Sequence, residues 1–178
     1  MKIIENVLNK ATQEQLKNFI LSTFPWYYVN DVTFKDSGNY TPAFGHTFIE
    51  DGKAISEQAN MLDLFRHVVK GNIVQARAFL QLPLNKKLIS KKDPLHIDRD
   101  EPHTVFIYYL LDSDGDTIIY KNKKEWKRVT PKQGTILTFD GSLWHTAEQP
   151  TKGTRCIINF NVISVSYTHL TLPTIYSV

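Results

Sequence analysis

The chain has 178 residues, 42% of them hydrophobic and 22% charged, with a formal net charge of +3. That length suits a single domain with a real core, and the composition is that of an ordinary globular protein. So small a charge excess does not by itself point to nucleic acid or a membrane. The N-terminus has no signal-like apolar run, and no stretch is long and apolar enough to span a bilayer. A single cysteine, Cys156, excludes a disulfide framework and a Cys-rich zinc site, and leads us to expect a reducing, cytoplasmic setting.

Ile3, Ile4, Val7 and Leu8 suggest a short opening strand. Thr12-Gln13-Glu14-Gln15 has the form of a capping box, and Leu16, Phe19, Ile20 and Phe24 follow at helical spacing, so a helix is expected from 12 to 23, ended near Pro25. Trp26–Val29 and Phe44–Ile49 read as strands, with a Gly38-Asn39 turn between them. A second helix is expected from 56 to 70, capped by Ser56, buried through Met61, Leu62, Leu64, Phe65, Val68 and Val69, and stopped by Gly71.

After Gly71 the text changes to short strands separated by turns. Residues 72–80, 104–111, 117–120, 135–139 and 154–162 are the clearest, and Thr104–Leu111 is apolar enough for a central strand buried on both faces. Seven or eight such strands and no helix are the pattern of a β-sandwich or barrel, with the two upstream helices packed on one face. We therefore expect a mainly β domain over residues 1–163, with its core at 72–162. Residues 164–178 match no element, and after Arg155 there is no Asp, Glu, Lys or Arg. This tail resembles translated sequencing-adapter read-through, known from the ends of genes in environmental DNA assemblies. We read it as non-native and exclude it from the fold.

Pro94-Leu95-His96-Ile97-Asp98 reads as the end of a buried strand. At a spacing of two, His96 and Asp98 leave the same face while Ile97 points the other way into apolar packing. An imidazole and a carboxylate converging in this way supply two ligands of a 2-His-1-carboxylate site, and His145 is the candidate third. The pair alone is weak evidence, since a chain of this length has on the order of a one-in-five chance of containing one.

The order His96-Ile97-Asp98, Thr104–Leu110, Gly115-Asp116-Thr117, Gly134–Phe139, His145, Arg155 and Asn159-Phe160-Asn161 is far more specific. It resembles the iron- and 2-oxoglutarate-dependent dioxygenases, in particular the small prolyl-4-hydroxylase-like branch of bacteria and phages. The strong part covers about two-fifths of the chain. Trp26-Tyr27-Tyr28 and Phe44-Gly45-His46 add a weaker match. The resemblance implies a double-stranded β-helix, also called a jelly roll and shared with the cupins.

It also implies that His96, Asp98 and His145 bind Fe(II) and that 2-oxoglutarate and O2 are cosubstrates. Arg155 would hold the distal carboxylate of 2-oxoglutarate through its guanidinium fork, and Tyr109 would help. The implied reaction hydroxylates a C–H bond, with release of succinate and CO2. The substrate class it suggests is a protein or peptide side chain, prolyl above all. A free amino acid, another metabolite or a nucleobase would be served by the same chemistry, and a non-catalytic jelly-roll binding module is the reading from a different class. If the gene is phage-borne, the compartment is the host cytoplasm.

Period two along the last strand supports a cosubstrate pocket independently. Arg155, Ile157, Asn159 and Asn161 share one face, and Cys156, Ile158 and Phe160 the other, so Asn159 and Asn161 join the candidate cosubstrate residues. A register error of one would exchange Tyr109 for Tyr108. His46 and His103 either line the substrate mouth or are ordinary strand or surface histidines. The basic stretches Lys86–Lys92 and Lys121–Arg128 would steer an acidic protein or a nucleic acid only if they flank the mouth. Otherwise they are solvated, and no nucleic-acid partner is indicated. Gly115-Asp116 stands where many family members carry two glycines, and Arg155 where many prolyl hydroxylases carry lysine. Both weaken an assignment specific to proline.

Overall fold

The computed structural model describes residues 1–32, 41–83 and 92–164. The Gly38-Asn39 turn, Lys86, Lys87 and Lys91, and the tail from 165 onward lie outside the described residues.

The chain opens with β1 (Lys2–Ile4) and α1 (Lys10–Ser22), followed by β2 (Tyr27–Val29), β3 (Ala43–Glu50) and β4 (Lys53–Ala54). A 3-10 segment, Glu57–Phe65, leads to β5 (Asn72–Gln81) and β6 (Thr104–Tyr109). Then come β7 (Thr117–Lys121), β8 (Lys124–Val129), β9 (Ile136–Asp140), β10 (His145–Ala147) and β11 (Arg155–Ile163).

These strands form two sheets. The larger has eight strands in the order β1-β9-β6-β11-β5-β3-β2, with β4 on β3. The smaller has the order β10-β7-β8. Mainly antiparallel strands in two layers, with helical segments only near the N-terminus, are the expected jelly roll.

The large sheet is covered on both faces. Under α1 and the 3-10 segment lie Leu16, Ile20, Phe65, Tyr108, Ile158 and Phe160. Facing the small sheet are Val105, Ile107, Tyr109, Ile119, Leu137 and Ile157. Strand β11 sits between β5 and β6, and its alternation delivers residues to both layers. Cys156, Ile158 and Phe160 point to the helices, Arg155 and Ile157 to the small sheet, as period two predicts.

Local details differ from the sequence reading. α1 begins at Lys10 rather than 12, because Asn9 takes the cap and its Oδ1 accepts from the Thr12 backbone N–H at 2.9 Å. The second helix is a 3-10 segment ending at Phe65. Ser56 caps it as expected, accepting from the Gln58 N–H, and its apolar face is buried through Leu62 and Phe65. Apolar spacing registers burial there but cannot separate a 3-10 ladder from an α ladder.

The segment carrying His96 is not the end of a regular strand. His96 and His145 form an isolated antiparallel bridge, with the His96 N–H 3.0 Å from the His145 carbonyl and the return bond at 2.9 Å. Ile97 does not turn away into apolar packing; half-buried, it lines the same cavity as its neighbours.

Candidate functional site

Between the two sheets lies a cavity of about 110 Å³. Its candidate metal-ligating side chains come from the two sides of the His96–His145 bridge. In an antiparallel bridge, directly paired residues project side chains to the same side. Here the two imidazoles face each other with ring centroids 4.5 Å apart. Asp98 completes the group: its Oδ1 is 3.5 Å from His96 Nε2 and 3.7 Å from His145 Nε2. The candidate ligand atoms of all three residues lie within 4.8 Å of one another.

The hydrogen bonds behind this group set its chemistry. His96 Nδ1 is 2.7 Å from the Pro94 carbonyl and His145 Nδ1 is 3.2 Å from the Leu143 carbonyl. A carbonyl only accepts, so each Nδ1 carries a proton and each Nε2 is turned to the centre, where its lone pair would serve a metal. The Asn159 amide donates to Asp98 Oδ2 at 2.9 Å, leaving Oδ1 for the imidazoles. Burial alone would push the Asp98 carboxyl up, but His145 and His96 outweigh it and hold the group well below the ordinary carboxylate range. Two imidazoles with Nε2 turned inward and one ionised carboxylate, held from behind, are a donor set that fits ferrous iron.

Along β11, four residues or roughly 13 Å of strand from Asn159, stands Arg155. It is 4% exposed. Its Nε donates to the Gly115 carbonyl, one terminal nitrogen to Gln81 Oε1 and the other to Thr117 Oγ1, at 2.9–3.0 Å. Of five guanidinium N–H groups, two remain. Among the described residues no carboxylate lies within ion-pair distance of this buried cation, and burial pulls its pKa down.

Tyr109 Oη and Thr117 Oγ1 are 2.9 Å apart. One hydroxyl proton serves that contact, so the other is left for an acceptor. Two N–H groups and one O–H converging beside a buried cation suit a carboxylate ligand. Phe79, Ile107 and Ile157 supply the apolar wall between the two ends.

Each candidate from the sequence can thus be placed. His96, Asp98, His145, Arg155 and Asn159 line one cavity. Asn159 serves the Asp98 carboxylate rather than the Arg155 end. Asn161 shares its strand face but donates to Gln75 Oε1 at 2.9 Å and is not among the cavity-lining residues, which separates it from a cosubstrate there. Tyr109 lies fully buried on the Arg155 side, reaching Thr117, while Tyr108 packs against Phe65 in the layer beneath the helices. Burial pushes both phenols up to about 12.

His46 and His103 line no part of this cavity. His46 is wedged among Phe24, Phe48 and Tyr27 with Nδ1 on the Pro25 carbonyl, and burial lowers its pKa. His103 rests its Nδ1 on the Glu101 carbonyl. In the basic hairpin, Arg128 is engaged by Asp116, Glu125 and Glu148, and Lys121 lies over Trp126.

Among the cavity residues to which the sequence reading gave no role are Gln81, Asp93, Thr117 and Arg77. Period two along β5 carried a signal for two of them. Gln75, Arg77, Phe79 and Gln81 alternate onto the same sheet face as Arg155 and Asn159, and Gln81 and Arg77 are their direct cross-strand partners. For Asp93, on an irregular segment, no periodicity applies.

No family model and no curated protein matches the chain. Solved structures do. A 2OG-Fe(II) oxygenase family oxidoreductase from Burkholderia pseudomallei superposes with a TM-score of 0.68 at 11% identity, over 89% of this chain and 83% of that one. A prolyl-4-hydroxylase from Pseudomonas putida gives 0.61 at 12% identity, over 92% of both chains. The chain has the fold of the 2-oxoglutarate- and iron(II)-dependent oxygenases. A prolyl hydroxylase from Trichoplax adhaerens, solved with a hypoxia inducible factor peptide fragment, shares the oxygenase fold with a TM-score of 0.60 at 15% identity, over 90% of this chain and 82% of that one. Among the described residues no helix is long and apolar enough to cross a membrane.

Proposed function

We propose that the protein is an Fe(II)- and 2-oxoglutarate-dependent dioxygenase that hydroxylates a C–H bond in a protein or peptide side chain. The observation that carries this reading is one cavity holding two imidazoles and a carboxylate at one end and, at the other, a buried arginine with no carboxylate in ion-pair distance among the described residues. His96, Asp98 and His145 would hold the metal. Arg155, with the proton left over from Tyr109 and Thr117, takes the distal carboxylate of 2-oxoglutarate. Phe79, Ile107 and Ile157 keep water from the stretch between.

Ferrous iron and 2-oxoglutarate, when bound, supply the oxidant, through activation of O2 coupled to decarboxylation to succinate and CO2. The peptide reading draws support from the prolyl hydroxylases among the structural neighbours, one of them solved with a peptide. A cytoplasmic setting belongs to the same reading, since the sole cysteine is buried and unpaired.

The test is succinate release by iron-loaded protein across a panel of peptides, metabolites and single-stranded oligonucleotides. Iron-dependent conversion of 2-oxoglutarate, stimulated by one substrate class, is expected. Stimulation by a metabolite or an oligonucleotide alone would move the substrate class and keep the chemistry. Tight iron binding with no turnover under any condition would leave only a metal-binding jelly roll.

A further inference from the structure

Arg155 is not the only buried charge in its end of the cavity. Asp93 lines the same space and is 7% exposed. Its carboxylate receives two amide donors, Gln81 Nε2 on Oδ2 at 2.9 Å and Gln149 Nε2 on Oδ1 at 2.5 Å. Gln81 also accepts from Arg155 through its Oε1 at 3.0 Å, so a single neutral amide spans the anion and the cation. The backbone fixes this arrangement: Asp93 bonds the Ala147 carbonyl through its own N–H, and its carbonyl accepts from Thr146 Oγ1 at 2.5 Å.

We infer that Asp93 is the resident counter-charge of Arg155, and that docking of the distal carboxylate of 2-oxoglutarate on Arg155 drives a proton from solvent onto Asp93. This rests on the reading of the cavity as a 2-oxoglutarate site. Without ligand, one buried anion balances one buried cation across Gln81. A second carboxylate at Arg155 would leave two anions sharing one arginine away from water. Such a pair keeps one proton between them.

The structure contains an acceptor for that proton. Gln149 Oε1 is buried with no hydrogen-bond donor, while Gln149 Nε2 faces Asp93. Rotation of this amide by half a turn would set Oε1 against Asp93 Oδ1, where it accepts from the protonated carboxyl. The step is proton uptake alone: a carboxylate becomes a carboxylic acid and no bond of the cosubstrate changes.

The electrostatic surroundings agree. Burial raises the Asp93 pKa to about 6, opposed by Arg155, Gln81, Gln149 and His96. Among the described residues, the charged or titratable groups acting on Asp93 are Arg155 from β11 and His96 from its own segment. Gln81 from β5 and Gln149 beyond β10 are neutral, and Tyr109, Asp116 and Cys156 act on Arg155. Asp93 is therefore ionised near neutral pH in the empty cavity and poised to take up a proton when ligand adds negative charge.

The experiment is calorimetry of 2-oxoglutarate binding to the full chain saturated with Mn(II) in place of iron, without oxygen, in buffers of different ionisation enthalpy. Saturating the metal first keeps His96 and His145 from titrating. Near pH 7 up to one proton is taken up per cosubstrate bound. Affinity falls as pH rises above 6, by about tenfold per unit at most, and the uptake fades below 6 where Asp93 already carries the proton. Asp93→Asn, in which the rotated Gln149 still finds a partner, abolishes the uptake and flattens the pH profile.

Binding with no net uptake between pH 6 and 8.5 overturns the inference, as does equal uptake by the variant. The wild-type proton count decides the matter even if the variant fails to fold. Absence of 2-oxoglutarate binding at every pH overturns the oxygenase reading itself, and is distinct from binding without uptake.

Discussion

On one face of β11, Cys156, Ile158 and Phe160 pack beneath α1 and the 3-10 segment with Phe65, Tyr108 and Ile20. On the other, Arg155, Ile157 and Asn159 line the cavity, and Arg155 and Asn159 are hydrogen-bonded to residues of other segments. The backbone is common to both. The first face needs only volume and apolarity, and tolerates any residue that fills the space. The second needs particular donors and acceptors at particular positions. A strand buried on both sides can thus divide folding from chemistry at single-residue intervals, and substitutions at neighbouring positions should separate the two.

The largest effect is expected on the cavity face. His145→Ala and Asp98→Ala should each take iron binding and succinate release to background, while the urea midpoint of the metal-free protein changes little. A large loss of stability in both variants would mean that the triad is structural. On the opposite face, Phe160→Ala removes a fully buried ring that meets Phe65 at 5.4 Å between centroids. It should cost about 3–5 kcal/mol of unfolding free energy. Iron affinity of the protein still folded should be unchanged, and a fall in both would show that the faces are coupled.

Gly115→Ala tests the junction between the two sheets. A Cβ there would meet the Glu148 carbonyl at 2.6 Å and Arg155 Cδ at 3.0 Å. Overpacking should cost roughly 1–3 kcal/mol and displace the guanidinium. Thermal unfolding and calorimetric 2-oxoglutarate affinity should therefore fall together, with metal affinity spared. Asn159→Leu keeps the branching at Cγ but frees Asp98 Oδ2, and iron affinity should drop about 10-fold or more, as when a group that orients a ligand is lost.

The alternation of β11 was legible in the sequence because period two is a property of the backbone alone. It put Arg155 and Asn159 on one face, and the turn-bounded apolar runs indicated a jelly roll. What stayed hidden depended on contacts between distant segments. His96 and His145 meet through one isolated bridge, which neither local sequence encodes. Asn161 has the right parity but lies far enough along β11 to bond Gln75, which lines the cavity, without lining it itself. Asn9 and Thr12 are both competent caps, and only the chain's entry into α1 chooses Asn9. Asp93 sits on an irregular segment whose importance appears only when Gln81 and Gln149 close on it.

The smallest predicted effect discriminates most finely between the two faces, because it uses adjacent residues of one type. Tyr108 and Tyr109 are both almost fully buried on β6, and both phenols are pushed up to about 12. Only Tyr109 has a hydroxyl partner on the cavity side, Thr117, which also accepts from Arg155. Tyr109→Phe removes one proton from that shared arrangement. Thr117 must then choose between its neighbours and the ligand, at a cost of about 1 kcal/mol, or roughly fivefold in 2-oxoglutarate affinity. Tyr108→Phe removes a hydroxyl from the layer beneath the helices and should leave that affinity unchanged. Equal effects of the two substitutions on cosubstrate binding would show that packing, not the hydroxyl at Thr117, tunes Arg155. A larger effect of Tyr108→Phe would reverse the assignment of the faces.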